Sequence, residues 1–260
     1  MIDLHNHILP GVDDGARSVE EACDMARALV DQGVRTLCCT PHTTEWATAG
    51  DEASIVARVE QLRAELTAQA ISLELLAGAE AHITPTLAAD VQHHAVPTLN
   101  GTPYLLLEFP YDILPPFYER VVFELQVHGI RPVIAHPERI APIADDPNIL
   151  VQLVRHGCLG QLTAMSLAGG FGPRVRDVSE LMLEHHLVHA IASDAHDAQP
   201  GSRLFALPEA RLAASRLMGD SDANALFEGT PARIVAGEAV EPPEPMEYKR
   251  RHFSFLKAFR

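Results

Sequence analysis

Cysteine is scarce in this sequence, and the little there is has no pattern. Four occur in 260 residues, at Cys23, Cys38, Cys39 and Cys158, and no two have the C-x-x-C spacing of a thiolate zinc site. Sparse, unpatterned cysteine suits a reducing compartment. Basic residues are also short, with Lys+Arg at 20 against Asp+Glu at 35 and a formal charge of −15. A nucleic-acid binder needs a basic footprint to neutralise phosphates, so that class is excluded. No apolar run is long enough to span a bilayer, and no basic segment leading into an apolar core opens the chain. The expectation is a soluble protein of the cytoplasm. Low-complexity segments and internal repeats are missing as well.

What is present is apolar and periodic. Hydrophobic residues make up 47% of the chain, enough for a sizeable core in one large α/β domain. Apolar runs predict strands over 2–4, 34–40, 72–78, 104–107, 131–135, 159–163 and 188–193. Helical patterns over 19–32, 54–69, 116–128, 148–156 and 175–185 stand between them. Ser18-Val19-Glu20-Glu21 is a capping box, and Gly33 falls where a glycine closes the first helix. Strand–helix alternation predicts a parallel sheet with covering helices. Seven strands with chemistry at their C-terminal ends favour a closed, distorted barrel over an open sheet.

That chemistry begins four residues into the chain. His5 and His7 are two apart, so a strand points both imidazoles to one face. Later apolar runs also end in ligand-type residues: His42, Glu80, Glu108, His136, then Asp194 with His196. A multinuclear metal centre at one end of a barrel is the expectation.

These residues carry a family resemblance. Met1 to Gly15 (MIDLHNHILPGVDDG), Thr40-Pro41-His42, Gly78-Ala79-Glu80, Leu107-Glu108-Phe109, Ala135-His136-Pro137-Glu138-Arg139 and Ser193-Asp194-Ala195-His196 resemble the polymerase-and-histidinol-phosphatase (PHP) superfamily. Within it they are most similar to the CpsB/CapC-type bacterial protein-tyrosine phosphatases of capsule and exopolysaccharide synthesis. The resemblance runs from Met1 to about Gly237 and implies a distorted (β/α)7 barrel with three metal ions at its C-terminal mouth. It implies His5, His7, Glu80 and Asp194 on the first metal, and a bridging Glu80 with Glu108 and His136 on the second. Asp14, His42 and His196 are implied for the third, with Asp13 the alternative to Asp14, since either can cap the turn before Gly15.

Imidazole and carboxylate without thiolate suit Mn²⁺ first, with Fe or Zn as alternatives. Adjacent divalent ions make hydroxide available at neutral pH and clamp the oxygens of an in-line displacement at phosphorus. Arg139 and Arg203 match the family's phosphate-binding positions, and a guanidinium fork pairs bidentately with phosphoryl oxygens. The expected reaction is phosphotyrosine hydrolysis on a protein without a covalent enzyme intermediate. A membrane-associated tyrosine autokinase is the implied partner, and an oligomer is left open. Cysteine-based tyrosine phosphatase chemistry is excluded, because the positions six after each cysteine hold Leu29, Thr44, Glu45 and Ala164 rather than arginine.

Two other readings stand beside this one: a small-molecule phosphatase for histidinol phosphate or a sugar phosphate, and a non-catalytic phosphotyrosine-binding module. Of the remaining histidines only His82, two past Glu80, draws attention. Most of the others fall at helix ends, where imidazole complements the dipole. Residues 238–260 lie outside the expected 1–237 phosphatase unit. They comprise a Pro- and Glu-rich connector followed by a tail, 248–260, with five basic residues, four apolar ones and no acid. That tail either packs on the acidic barrel or docks an anionic membrane surface or acidic partner.

Overall fold

Almost every strand residue is buried, the pattern of parallel strands covered on both faces. The computed structural model describes residues 1–44 and 48–249. Three strands, β1 (Ile2–Asn6), β2 (Thr36–Cys39) and β3 (Glu74–Ala77), pair in parallel in that order. Five more, β4 (Glu80–His82), β5 (Tyr104–Glu108), β6 (Arg131–Ala135), β7 (Leu159–Thr163) and β8 (Ala190–Ala192), form a second parallel sheet, again in chain order. Between strands lie α1 (Val19–Asp31), α2 (Glu52–Ala68), α3 (Leu87–Gln92), α4 (Tyr118–Val127) and α5 (Ala141–Asp145). They are followed by α6 (Asn148–Arg155), α7 (Ala164–Ala168) and α8 (Pro173–Glu184). After β8 come α9 (Leu207–Met218), α10 (Asp220–Asn224) and α11 (Thr230–Val235).

Local chemistry explains the boundaries. Ser18 caps α1 by accepting from the Glu21 amide at 3.3 Å, and the helix buries Ala22, Met25, Ala26 and Leu29 on one stripe. Asp51 caps α2 in the same way, which starts that helix at Glu52, two residues before the predicted Ser54.

The third predicted strand, 72–78, is β3, and a further short strand that was not predicted, β4, follows it directly. The run breaks at Gly78-Ala79, and the chain leaves β2 to pair with β5. Gly78 sits where a Cβ would meet side-chain carbons of Leu99 at 3.1 Å and Thr40 at 3.4 Å, so the chain crosses in close packing there. Glu80 therefore opens β4 instead of ending β3. Two isolated parallel bridges, His42 with Glu80 and Asn6 with Ala195, tie the two sheets together at both junctions.

The core has two compartments. The larger lies between strands and helices. The smaller gathers Leu4, Cys38, Leu76, Leu106, Val133, Leu159 and Ala190, from seven different strands, with Leu99 and Ile234. Residues 238–248 lie across the N-terminal strand ends. The Tyr104 hydroxyl donates to the Glu238 carbonyl at 2.7 Å and accepts from the Val240 amide at 3.1 Å. Arg131 donates to the Val240 carbonyl, and the Met246 amide to that of His185. Tyr248 exchanges backbone hydrogen bonds with the Asn148 side chain. The rest of the basic tail, 250–260, lies outside the described residues.

Candidate metal centre

All nine sequence-predicted ligands meet at the C-terminal ends of the strands. The Nε2 atoms of His5 and His7, from the end of β1, are 3.2 Å apart. Each faces Glu80 Oε2, at 3.2 and 3.3 Å, and Asp194 Oδ1, at 3.5 and 3.6 Å. His42 Nδ1 reaches the same Glu80 oxygen at 3.0 Å and Glu108 Oε2 at 3.7 Å. The other Glu80 oxygen takes His136 Nε2 at 2.8 Å. One carboxylate thus spans two sets of imidazoles.

Asp14 Oδ1 lies 3.3 Å from His196 Nε2 and 3.6 Å from His42 Nε2, on the outer rim. Asp13 instead turns inward and accepts from His7 Nδ1 at 2.8 Å, the Gly15 amide at 3.0 Å and the His42 amide at 3.1 Å. The two neighbouring acids therefore take different jobs, the rim position for Asp14 and the support of His7 for Asp13. Three groups bring ligand atoms within 4.8 Å of one another: His5, His7 and Glu80; His42, Glu80 and Glu108; and His7, Asp14, His42 and His196. His136 meets Glu80 without joining such a group, and His42 stands between two of them.

The backbone is held in uncommon conformations here. His136 and Asp194 have φ of 34° and 52°, one and two residues beyond the ends of β6 and β8. Most other non-glycine residues with positive φ close helices or turns; these two belong to the sequence-predicted ligand set. Gly15 is required by proximity, since a Cβ there would fall 2.0 Å from the His7 carbonyl oxygen. The Asp-Asp-Gly turn can fold under His7 only because that position is bare.

Electrostatics follow from crowding. Burial disfavours charge on His7, yet the carboxylates of Asp13 and Glu80 outweigh it and hold its pKa well above the usual value. Burial would raise Glu80, but His5, His136 and His7 around it depress it well below the carboxylate range. Asp14 is lowered to about 2, chiefly by the His196 imidazole. A buried knot of imidazoles and carboxylates that stabilise each other's charge is a donor set in which a divalent cation can take the place of the shared protons. His136 Nδ1 is buried and makes no hydrogen bond. The residues present fit metal ions.

Supporting contacts are already in place. Gln161 Oε1 accepts from His5 Nδ1 at 2.8 Å, fixing its tautomer with Nε2 turned to the centre. Sequence reasoning passed over Gln161, though a lone polar side chain inside the apolar run 159–163 was the available signal. His82 Nδ1 donates to Glu108 Oε2 at 3.1 Å. Glu138 is buried and accepts from the Thr163 amide at 3.1 Å and from the Ser166 hydroxyl at 2.6 Å.

Both sequence-predicted arginines converge on the far oxygen of Asp194. Arg139 Nη1 donates to Oδ2 at 2.6 Å and Arg203 Nη1 at 2.8 Å. Asp194 Oδ1 meanwhile faces His5 and His7, so one carboxylate joins the arginine pair to the histidine cluster. Beside the arginines opens a cleft of about 340 Å³ lined by Tyr111, Arg139, Ala141, Phe171, Arg174 and Val175. Tyr111 stacks on the His136 ring with centroids 5.3 Å apart.

Comparison with known proteins agrees with this geometry. The chain is 36% identical over 258 residues to the tyrosine-protein phosphatase YwqE of Bacillus subtilis, covering 98% of this chain and all of the relative. It is 29% identical to the tyrosine-protein phosphatase CpsB of Streptococcus pneumoniae, covering 92% of this chain and all of that one. Crystal structures of YwqE and CpsB, described as unique metal-dependent tyrosine phosphatases, include one that superposes with a TM-score of 0.92 at 36% identity, over 96% of this chain. Residues 1–236 match the family described as capsular polysaccharide synthesis, CpsB/CapC, and the chain belongs to that family.

Proposed function

We propose that this protein is a metal-dependent phosphatase that removes phosphate from tyrosine residues of a protein partner. The observation that carries the reading is the junction at Asp194, which joins the paired Arg139 and Arg203 to the histidine–carboxylate cluster. The eight strands form a distorted seven-stranded barrel whose mouth would hold three divalent ions, manganese foremost. His5, His7, Glu80 and Asp194 would hold the first, and Glu80, Glu108 and His136 the second. Asp14, His42 and His196 would hold the third. Bound there, such ions supply Lewis acidity and make water nucleophilic near neutral pH.

The chain's own groups do the rest. Arg139 and Arg203 turn their forks onto the non-bridging oxygens and stabilise charge on the transferred phosphoryl group. His82, held by Glu108, is the nearest candidate to donate a proton to the leaving oxygen. A tyrosine phenolate, with pKa of about 10, leaves with little such help, whereas an alkoxide needs much more. Tyr111 and Phe171 give the cleft aromatic walls on the phosphate's outer side. The phosphatase unit spans residues 1–237, and residues 238–248 strap its opposite end.

The partner chemistry is a phosphotyrosine-bearing chain, and by family a tyrosine autokinase at the membrane. The basic tail would bring the enzyme to that surface. No helix among the described residues is long and apolar enough to cross a membrane.

The test compares kcat/KM for a phosphotyrosine peptide, a phosphoserine peptide, histidinol phosphate and a hexose phosphate at equal manganese loading. The phosphotyrosine peptide should lead by tenfold or more, about 1.4 kcal/mol of transition-state discrimination. A lead for histidinol phosphate or the hexose phosphate makes this a small-molecule phosphatase. No turnover by the fully loaded protein leaves the non-catalytic binding module.

A further inference from the structure

We propose that Phe171 is a positioning residue that holds both phosphate-binding arginines in register and makes the cleft selective for aryl phosphates; this rests on the assignment of Arg139 and Arg203 to phosphate. The Arg139 guanidinium lies between two aromatic rings, with its carbon 4.7 Å from the Phe171 centroid and 4.9 Å from that of Tyr111. The Arg203 guanidinium carbon is 5.7 Å from the same Phe171 ring. One half-buried phenyl ring therefore touches both cations. A guanidinium is attracted to the face of an aromatic ring, and the contact fixes its plane. An aliphatic side chain of equal bulk would fill the space without that preference.

The ring is carried on a rigid support. Gly169-Gly170-Phe171-Gly172 turns the chain between α7 and α8, with Gly169 and Gly172 at φ of 88° and 94°. Amides of Gly169, Gly170 and Gly172 donate to Ser166, Met165 and Gly169 carbonyls at 3.2, 2.9 and 3.0 Å. The turn is also tied to the arginine it serves. Ser166, on α7, donates its hydroxyl to Glu138 at 2.6 Å, and Glu138 adjoins Arg139 in the same short helical turn. The two sides of the cation–ring contact are thus anchored to each other through one buried carboxylate.

The geometry also gives selectivity. Arg139 lines the cleft that Phe171 and Tyr111 wall, so a phosphate held by the arginine pair would have its ester group beside those rings. A flat phenyl group gains contact with those walls, and a hydrated sugar does not.

The experiment uses the full chain loaded with manganese, as wild type, Phe171→Leu and Phe171→Tyr. Inorganic phosphate binding is measured by calorimetry, metal content by mass spectrometry, and kcat/KM for an aryl and an alkyl phosphate. Phe171→Leu should weaken phosphate binding about three- to tenfold, with metal content unchanged and the larger loss of kcat/KM on the aryl ester. Phe171→Tyr, which keeps the ring, should bind phosphate within about twofold of wild type. Wild-type phosphate affinity in Phe171→Leu overturns the proposal, as does a Phe171→Tyr as impaired as Phe171→Leu, or a loaded wild type that binds no phosphate. Phosphate binding that depends on Phe171 in a protein without tyrosine-phosphatase activity would sink the proposed function and leave the positioning role standing.

Discussion

The two ends of the strands follow opposite rules. At the C-terminal mouth, buried imidazoles and carboxylates crowd together, and His136 and Asp194 adopt left-handed backbone. At the N-terminal end the polar groups of Tyr104, Arg131 and the 238–248 strap answer one another over a small apolar core. Strain and like-group crowding cost stability, so they persist only where the rest of the fold fixes them. The mouth is arranged for a ligand that stabilises it, and the opposite end for stability without one.

The largest effect should therefore come from the mouth. Replacing His136 with Ala removes a ligand but no core packing, and activity should fall by about a thousandfold or more with the fold retained. Circular dichroism and turnover of an aryl phosphate check this, and unaltered turnover would falsify the assignment of His136. Chelation should silence the wild type to the same degree, with manganese restoring it better than magnesium, which prefers oxygen ligands. One step smaller is the support behind the ligands. Asp13→Ala or Gln161→Ala frees the ring of His7 or His5, and metal affinity should drop about 10- to 100-fold. A metal titration with either variant at wild-type affinity would make those hydrogen bonds incidental.

That graded order was partly legible in the sequence. His5, His7, Glu80, Glu108, His136, Asp194 and His196 could be placed together because each follows an apolar run, and a parallel sheet delivers all such tips to one end. The division between Asp13 and Asp14 was not legible, because adjacent residues in a turn exchange roles with a small change in dihedral angle. Phe171 acts on guanidiniums that are distant in sequence, so no local spacing reveals it, whereas Gln161 left one local signal, a polar side chain inside the apolar run 159–163. The additional strand β4 after Gly78 was hidden for a related reason: the close approach there is set by Leu99 and Thr40, far from it along the chain. The strap was read as a connector from its Pro and Glu content, while its hydrogen bonds depend on tertiary partners.

At the opposite end effects should be smaller and fall on stability alone. Tyr104→Phe removes a hydroxyl that donates to Glu238 and accepts from Val240. It should lower unfolding free energy by about 1–3 kcal/mol, since the partners lose hydrogen bonds in a partly buried setting. Aryl phosphate turnover per folded, metal-loaded molecule should not change. A matching loss of turnover would mean that the strap communicates with the mouth and would erase the contrast between the two ends.

The smallest expected effect is a pH dependence confined to that end. His189 is buried just before β8, and its Nδ1 accepts from the Gly160 amide at 2.9 Å, which requires a neutral ring. Burial, reinforced by the nearby Arg131 charge and by His186, lowers its pKa from 6.5 to about 3. Between those values the unfolded chain binds a proton that the folded chain refuses. Stability is therefore complete above pH 6.5 and declines as pH falls toward 3, by up to about 1.4 kcal/mol per pH unit from this one group. The carboxylates and the mouth histidines titrate as well, so the comparison must be with a variant that keeps everything else. His189→Gln retains an acceptor for the Gly160 amide and cannot take the proton. Denaturant unfolding at pH 7 and 5.5, at matched metal loading, should show wild type losing about 1 kcal/mol more than His189→Gln across that interval. Equal losses would show that His189 is solvated or relaxes on protonation, and the acid sensitivity of the protein would then belong to its mouth alone.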